Sequence, residues 1–317
     1  MSKSIIEKIQ RLFANKWLIA AVILLGMILV LQWTRKTAKY EGFQQKEPFT
    51  VARDANSYDE FYAEIYDRLY KTEKRADSDA LKIIESTQPD KKTSVFLDVG
   101  CGTGCLVDAL KRRGYNAVGV DQSQAMIEVG KERRPKTCNK SAEDGQSAIR
   151  SADATDPMLF DRGVFSHILC MDRTIYELQD KVAFFRNCKH WLLPGGYLIV
   201  HLVEPDKYNV IVPLGQPSGL GPVQKPDGTR VTDTAIDFVD FKYKSSYDFS
   251  GLKDGVVKQI ETFTDTASNN VRQNERTMYM TASSPILEDA RYCGFLLQGE
   301  FASSEDPGQK VVILKAL

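Results

Sequence analysis

The chain has only three histidines, and none of its six cysteines (Cys101, Cys105, Cys138, Cys170, Cys188, Cys293) stands in a Cys-x-x-Cys pair. That scarcity argues against a zinc site or any other metal site and against a disulfide framework. Six free thiols in a reducing compartment are the expectation. There is no excess of charge: Lys+Arg and Asp+Glu stand at 42 each, which gives no electrostatic ground for binding nucleic acid. A mean hydropathy of -0.31 excludes a polytopic membrane protein. At 317 residues, 43% hydrophobic and 26% charged, the chain is no disordered polymer, collagen or disulfide-dense miniprotein. Its length suits one domain of ordinary size or two small ones.

The charge balance averages two unlike parts. Residues 1–56 carry nine basic and four acidic residues, a net +5, and residues 57–317 carry the compensating −5. The basic part holds the one long apolar run, WLIAAVILLGMILVLQW at 17–33, uncharged and bounded by Trp17 and Trp33. As a helix it is about 25 Å long, slightly short of a hydrocarbon core. Aromatic ends favour the membrane interface. A cleaved signal peptide wants small neutral residues after its apolar region, where this chain has Trp33, Arg35 and Lys36. A buried core helix is the other competing reading. A single transmembrane helix is the expectation, preceded by a basic amphipathic segment at 1–16 and followed by a polar linker at 34–56. Four basic residues on each side (Lys3, Lys8, Arg11, Lys16; Arg35, Lys36, Lys39, Lys46) leave the positive-inside rule without a direction.

Residues 93–105 read TSVFLDVGCGTGC. A short apolar run, a turn built on Gly100, Gly102 and Gly104, and a helical pattern from Leu106 make strand, glycine loop, helix, the opening unit of a doubly wound α/β fold. Glycines let a ligand approach the backbone closely. The next strand, 117–120, ends in Asp121, placed to accept from both hydroxyls of a ribose. Further strands are expected to end near Ala152-Asp153-Ala154, over 165–171 before Asp172, and over 197–202. A helix is expected over 181–192, with a turn at Leu193-Pro194-Gly195-Gly196. Residues 256–265 and 275–280 alternate as strands do. A helix at 284–292 and a last strand at 310–315 close the chain.

The segments LDVGCGTG (97–104), GVD (119–121), SADA (151–154) and LLPGGYLIV (192–200), in this order and spacing, resemble class I S-adenosylmethionine-dependent methyltransferases, with most likeness to their small-molecule branch. The resemblance covers about residues 57–317. It implies a Rossmann-like, doubly wound seven-stranded sheet with an antiparallel last strand. It implies S-adenosyl-L-methionine as cofactor, with Asp98 and the glycine loop (Gly100, Gly102, Gly104) along its methionine part. Asp121 and Gln122 would lie at the ribose, and Asp153 and Ala154 at the adenine. Residues 204–250 would be an insertion shaping the acceptor pocket. The helix YDEFYAEIYDRLY at 58–70 puts Tyr58, Tyr62 and Tyr66, with Tyr70, on one face. That stripe reads either as packing against the sheet or as a lid on cofactor and acceptor.

A sulfonium methyl is already electrophilic, so alignment and exclusion of water come first and a base matters for a hydroxyl acceptor. Asp172, Tyr176 and His201 are the candidate catalytic residues, at strand ends where ligands bind in open α/β sheets. Arg173, Glu177 and Glu204 lie beside them. For His201 a hydrogen-bonded strand histidine is the competing reading, and for Asp172 a helix cap. The motifs of DNA amino and cytosine-carbon methylation, arginine methylation and magnesium-dependent catechol methylation are missing, which leaves a small-molecule, lipid or quinone-like, or protein acceptor. A non-catalytic tethered scaffold is the alternative. A dinucleotide oxidoreductase fits less well, because the loop puts its third glycine at the fifth position, Gly104, and Cys105 at the sixth. Cofactor supply favours a body facing the cytosol or, alternatively, the mitochondrial matrix. The sequon at Asn139 is expected to stay unmodified.

Overall fold

The computed structural model describes residues 20, 24–27, 46–133, 148–210, 212, 231–302 and 308–317. Residues 45–317 form one compact unit and residues 1–44 another. Of the expected span at 17–33, residues 20 and 24–27 are helical and exposed and the rest lie outside the described residues. Among the described residues no helix is long and apolar enough to cross a membrane. The Asn139 sequon, Cys138 and residues 213–230 of the expected insertion also fall outside them.

Seven strands form the main sheet: β2 (Val95–Val99), β3 (Asn116–Asp121), β4 (Ile149–Ser151), β5 (Phe165–Cys170), β6 (Leu192–Val203), β11 (Phe295–Ala302) and β12 (Gln309–Ala316). Their order is β11-β12-β6-β5-β2-β3-β4. β4, β3, β2, β5 and β6 pair in parallel. β12, the last strand, runs antiparallel to both its neighbours, as the resemblance implied. The run 193–196, expected as a turn, belongs to β6, as does Leu192, expected as the end of a helix. Pairing with β5 jumps from Leu192 to Tyr197, so the Pro-Gly-Gly stretch is an irregularity within the strand, with Gly195 at φ +73.

Alternation along the strands fills two cores. Phe96, Leu169, Ile199 and Ile313 join Ala80, Ile83, Leu106 and Leu110. Those last four come from the helices α2 (Thr72–Thr87) and α3 (Cys105–Arg112). Leu97, Ile168, Leu198 and Leu314 meet Phe184, Phe185, Trp191 and Ile286, from α5 (Lys181–Trp191) and α6 (Ser283–Tyr292). Successive side chains of a strand point to opposite faces, so a sheet covered by helices on both sides needs apolar residues at every step.

A second sheet was not anticipated. It has the order β1-β10-β9-β8-β7, from β1 (Phe49–Arg53), β7 (Asp233–Asp237), β8 (Phe241–Asp248), β9 (Val256–Asp265) and β10 (Val271–Tyr279). β1 lies inside the stretch read as a linker. Its five residues pair in parallel with β10, which makes 49–53 structural rather than a spacer. The stretch 58–70 becomes helix α1 over Glu60–Tyr70, capped by Asp59, whose side chain accepts from the Tyr62 N–H. A further helix, α4, is Gln124–Arg133.

Candidate active site

A cavity of about 550 Å³ opens where the parallel strands end, the expected place in an open α/β sheet. Gly100 and Gly102 line it after β2, Asp121 and Gln122 after β3, Asp153 and Ala154 after β4, and Asp172, Arg173 and Thr174 after β5. Tyr58, Tyr62, Tyr66 and Tyr70 close one side, and Gln259, Arg276 and Met278 of the second sheet close another. The volume suits a cofactor-sized ligand with a small partner.

The glycine loop is shaped by its own backbone. The N–H groups of Gly100 and Cys101 both donate to the Val120 carbonyl, and Gly104 N–H donates to the Cys101 carbonyl. Gly100, Gly102 and Gly104 take φ of +69, +54 and +82, a conformation glycine adopts at least cost. At Gly100 a Cβ would come within 2.5 Å of Thr174. Gly104 caps α3 and does not line the cavity, so its part in the loop is conformational.

Asp121 holds that loop. Its Oδ2 accepts from Gly102 N–H at 2.8 Å and its Oδ1 from Ser123 N–H at 2.9 Å. Each carboxylate oxygen keeps a lone pair for a ligand hydroxyl. Burial raises the Asp121 pKa, and the two N–H donors offset part of that rise. Asp153 Oδ1 accepts from the Thr155 N–H and hydroxyl. Burial works against its charge, but these bonds hold its carboxyl below the ordinary value.

Asp98 lies just behind, 4% exposed, lining a recess of about 40 Å³ with Asp79, Asp172 and Gly102. Burial, with the Asp172 and Asp121 carboxylates, pushes its pKa well up. An ammonium group in that recess would relieve the burden on these acids. The residues present therefore fit S-adenosylmethionine: an acidic recess for its ammonium, Gly100 and Gly102 for close approach, and Asp121 for its ribose.

The candidate catalytic residues part company. Asp172 lines the cavity, and its carboxylate is paired with Arg75 of α2, so it caps no helix. Tyr176 is fully buried; its hydroxyl donates to the Val203 carbonyl and accepts from the Val203 N–H. That is a structural tie between the turn after β5 and the end of β6, and Tyr176 does not line the cavity. His201 is 3% exposed on β6, and burial pushes its pKa down to about 4. It too is absent from the cavity wall. Its β6 neighbours Val200 and Leu202 face one core, and strand alternation turns His201 to the other side.

Glu177 stood in the sequence only as a neighbour of the catalytic candidates, and Asp67, Arg276 and Glu261 went unnoticed. Glu177 lines the cavity, and its Oε1 accepts from the Tyr58 hydroxyl at 2.6 Å; burial raises its pKa. Asp67 of α1 accepts from the hydroxyls of Thr72 and Thr103 and pairs with Arg133, tying the tyrosine helix to the glycine loop. Arg276 sits 4.4 Å from the ring centres of both Tyr58 and Tyr62 and faces Glu261. Glu261 Oε1 accepts from the hydroxyls of Tyr62, Tyr70 and Tyr243. The tyrosine stripe therefore both packs and lines the cavity. The five described cysteines are free thiols. Cys101 is half-buried against Gly119, where a Cβ would meet its Sγ at 2.8 Å.

Residues 97–200 match the family model described as a methyltransferase domain. The match places a methyltransferase domain over these residues. Within this domain fall the glycine loop, Asp121, Asp153, Asp172 and Glu177. Over 95 residues the chain is 35% identical to a magnesium-protoporphyrin O-methyltransferase of Rhodobacter capsulatus, covering 30% of this chain and 39% of that protein. Over 127 residues it is 32% identical to a ubiquinone biosynthesis O-methyltransferase of Coxiella burnetii, covering 39% and 49%. The chain thus spans less than half the length of these relatives. Among solved structures, an S-adenosylmethionine-dependent methyltransferase from Clostridium acetobutylicum superposes with a TM-score of 0.58 at 17% identity, over 81% of this chain and 98% of that one. That likeness extends the shared fold well beyond the matched segment.

Proposed function

We propose that the protein transfers the methyl group of S-adenosylmethionine to a small-molecule acceptor, of the quinone- or porphyrin-like size that its relatives' names suggest. The observation that carries this reading is the joint lining of one cavity by the glycine loop, Asp121 and the tyrosine wall. The bound cofactor supplies an electrophilic methyl. The chain's own residues do the rest. Asp121 and the loop hold the cofactor on one side. Tyr58, Tyr62, Tyr66 and Met278 exclude water and pack the acceptor on the other, which favours in-line approach. Glu177 is placed to receive the proton that a hydroxyl acceptor releases, a role His201 cannot take from outside the cavity.

Titration calorimetry of the full chain with S-adenosylmethionine, followed by labelled-methyl transfer to extracted lipids and metabolites, tests this. Failure to bind the cofactor would sink the reading.

The apolar run at 17–33 supports a single membrane anchor, with the body on the side where the cofactor is abundant, the cytosol or the mitochondrial matrix. The support is its lack of charge and its Trp17 and Trp33 boundaries. Release of the full chain from membranes by alkaline carbonate would refute the anchor.

A further inference from the structure

We propose that Arg173 binds a carboxylate of the acceptor, so that the substrate is an aromatic or apolar organic acid. This deepens the methyltransferase reading of the cavity and rests on it.

Three arginines surround the tyrosine wall. Arg75 faces the carboxylate of Asp172 and Arg276 that of Glu261. Arg173 has no such partner among the described residues. Its Nη1 donates to the hydroxyls of Tyr208 and Tyr247, two neutral groups that fix the guanidinium without cancelling its charge. Nε and Nη2 have no protein acceptor among the described residues, and Arg173 lines the cavity. Those two nitrogens form the planar fork that matches a carboxylate bidentately.

The backbone holds the group there deliberately. Asp172 and Arg173 are consecutive residues at φ +50 and +71, a region that L side chains rarely adopt and that clusters at binding and active sites. The kink sends Asp172 to Arg75 and leaves Arg173 in the cavity, 6.0 Å from the Tyr70 ring centre. The surroundings favour a monoanion over a phosphate. Among the described residues one unmatched cation serves the site, and the Asp172 and Glu177 carboxylates that also line it would repel a dianion. The tyrosine rings supply apolar surface for the rest of the molecule.

The test uses the full chain saturated with S-adenosylhomocysteine and three probes of one shape: 3-phenylpropionate, 3-phenylpropan-1-ol and 3-phenylpropylamine. Calorimetry should show the acid binding at least about tenfold more tightly than the alcohol or the amine. Arg173→Gln should erase that preference and Arg173→Lys should keep part of it. In both variants the affinity for S-adenosylhomocysteine should stay within about twofold of the parent, which also reports an intact fold. Equal binding of the probes, preference for the amine, or an acid preference that survives Arg173→Gln would overturn the proposal. So would a large loss of S-adenosylhomocysteine affinity in Arg173→Gln, which would assign the fork to the cofactor's own carboxylate. Should the parent protein not bind S-adenosylhomocysteine, the methyltransferase reading fails. The same probe comparison on the bare protein then still decides the role of Arg173.

Discussion

Arg276 Nη2 lies 2.7 Å from Glu261 Oε2, and the two side chains are 4% and 0% exposed. The contact has the length of an ion pair but not the angles of a hydrogen bond, since neither atom has a hydrogen-bond partner. Around it, Arg276 Nε donates to the Ser57 hydroxyl and three tyrosine hydroxyls converge on Glu261 Oε1. The pair joins the second sheet to the tyrosine wall of the cavity.

Removing one member leaves the other as a buried, uncompensated charge. Arg276→Met alone, or Glu261→Gln alone, should lower stability by about 3–5 kcal/mol. The double variant should lose clearly less than the sum of the two. Urea denaturation of the full chain measures this, and simple additivity would contradict the coupling.

Asp121 has a sharper, local role. Replacing it by Ala removes the acceptors of the Gly102 and Ser123 N–H groups together with the acceptors proposed for the ribose. S-adenosylmethionine affinity should fall by on the order of a hundredfold, while Asp121→Asn, which keeps one acceptor oxygen, should lose less. Calorimetry decides, and an unchanged affinity in Asp121→Ala would remove Asp121 from the site.

Gly130 of α4 packs directly on the glycine loop: a Cβ there would collide with the Thr103 carbonyl oxygen and come within 2.9 Å of Ile149. The obstacle is backbone, which cannot swing aside. Gly130→Ala should therefore cost about 1–3 kcal/mol as an overpacked site and weaken cofactor binding as well, although Gly130 lies outside the cavity. Thermal melts with and without S-adenosylhomocysteine would show both effects. A variant as stable as the parent would mean that α4 slides freely.

Asp79 on α2 is 7% exposed. Burial, then the Asp172 carboxylate, raises its pKa to about 7, against the pull of Arg75 and Lys82. An unfolded aspartate titrates near about 3.9, so between these values the folded state holds a proton that the unfolded state has released. This contribution is complete below about pH 4 and is lost as pH rises through about 7. Asp79→Asn should thus be more stable than the parent at pH 8 and match it near about pH 4. Melting curves across that range check the sign, and a larger advantage at acid pH would refute it.

The main sheet was legible because its signals are contiguous. LDVGCGTG joins strand, loop and helix in one stretch, and Asp121 closes the next strand. The second sheet was not, because its inward faces are polar. β9 buries Gln259, Glu261 and Asp265 beside Val257 and Phe263, and β10 buries Asn274 and Arg276 beside Met278. Alternation predicted the strands but does not tell that charged residues lie on the buried face, so the Glu261–Arg276 pair stayed hidden. β8 did carry a readable signal. Phe241, Tyr243 and Tyr247 alternate with Lys242, Lys244 and Ser246, and the first set is buried. His201 misled in the other direction. Its distance from the cavity follows from which face of β6 it occupies, a matter of strand register that residue type does not encode.

β1 has a consequence for handling the protein. It covers the outer edge of β10 over five residue pairs, helped by the Arg53–Glu275 ion pair and by Asp54, whose carboxylate accepts from the Thr277 N–H. A fragment starting at residue 57, the boundary suggested by sequence, would bare that edge along its full length. Unpaired strand edges recruit other strands. Such a fragment is expected to self-associate through β10, whereas one starting at residue 45 keeps its own edge guard and suits crystallisation and solution work.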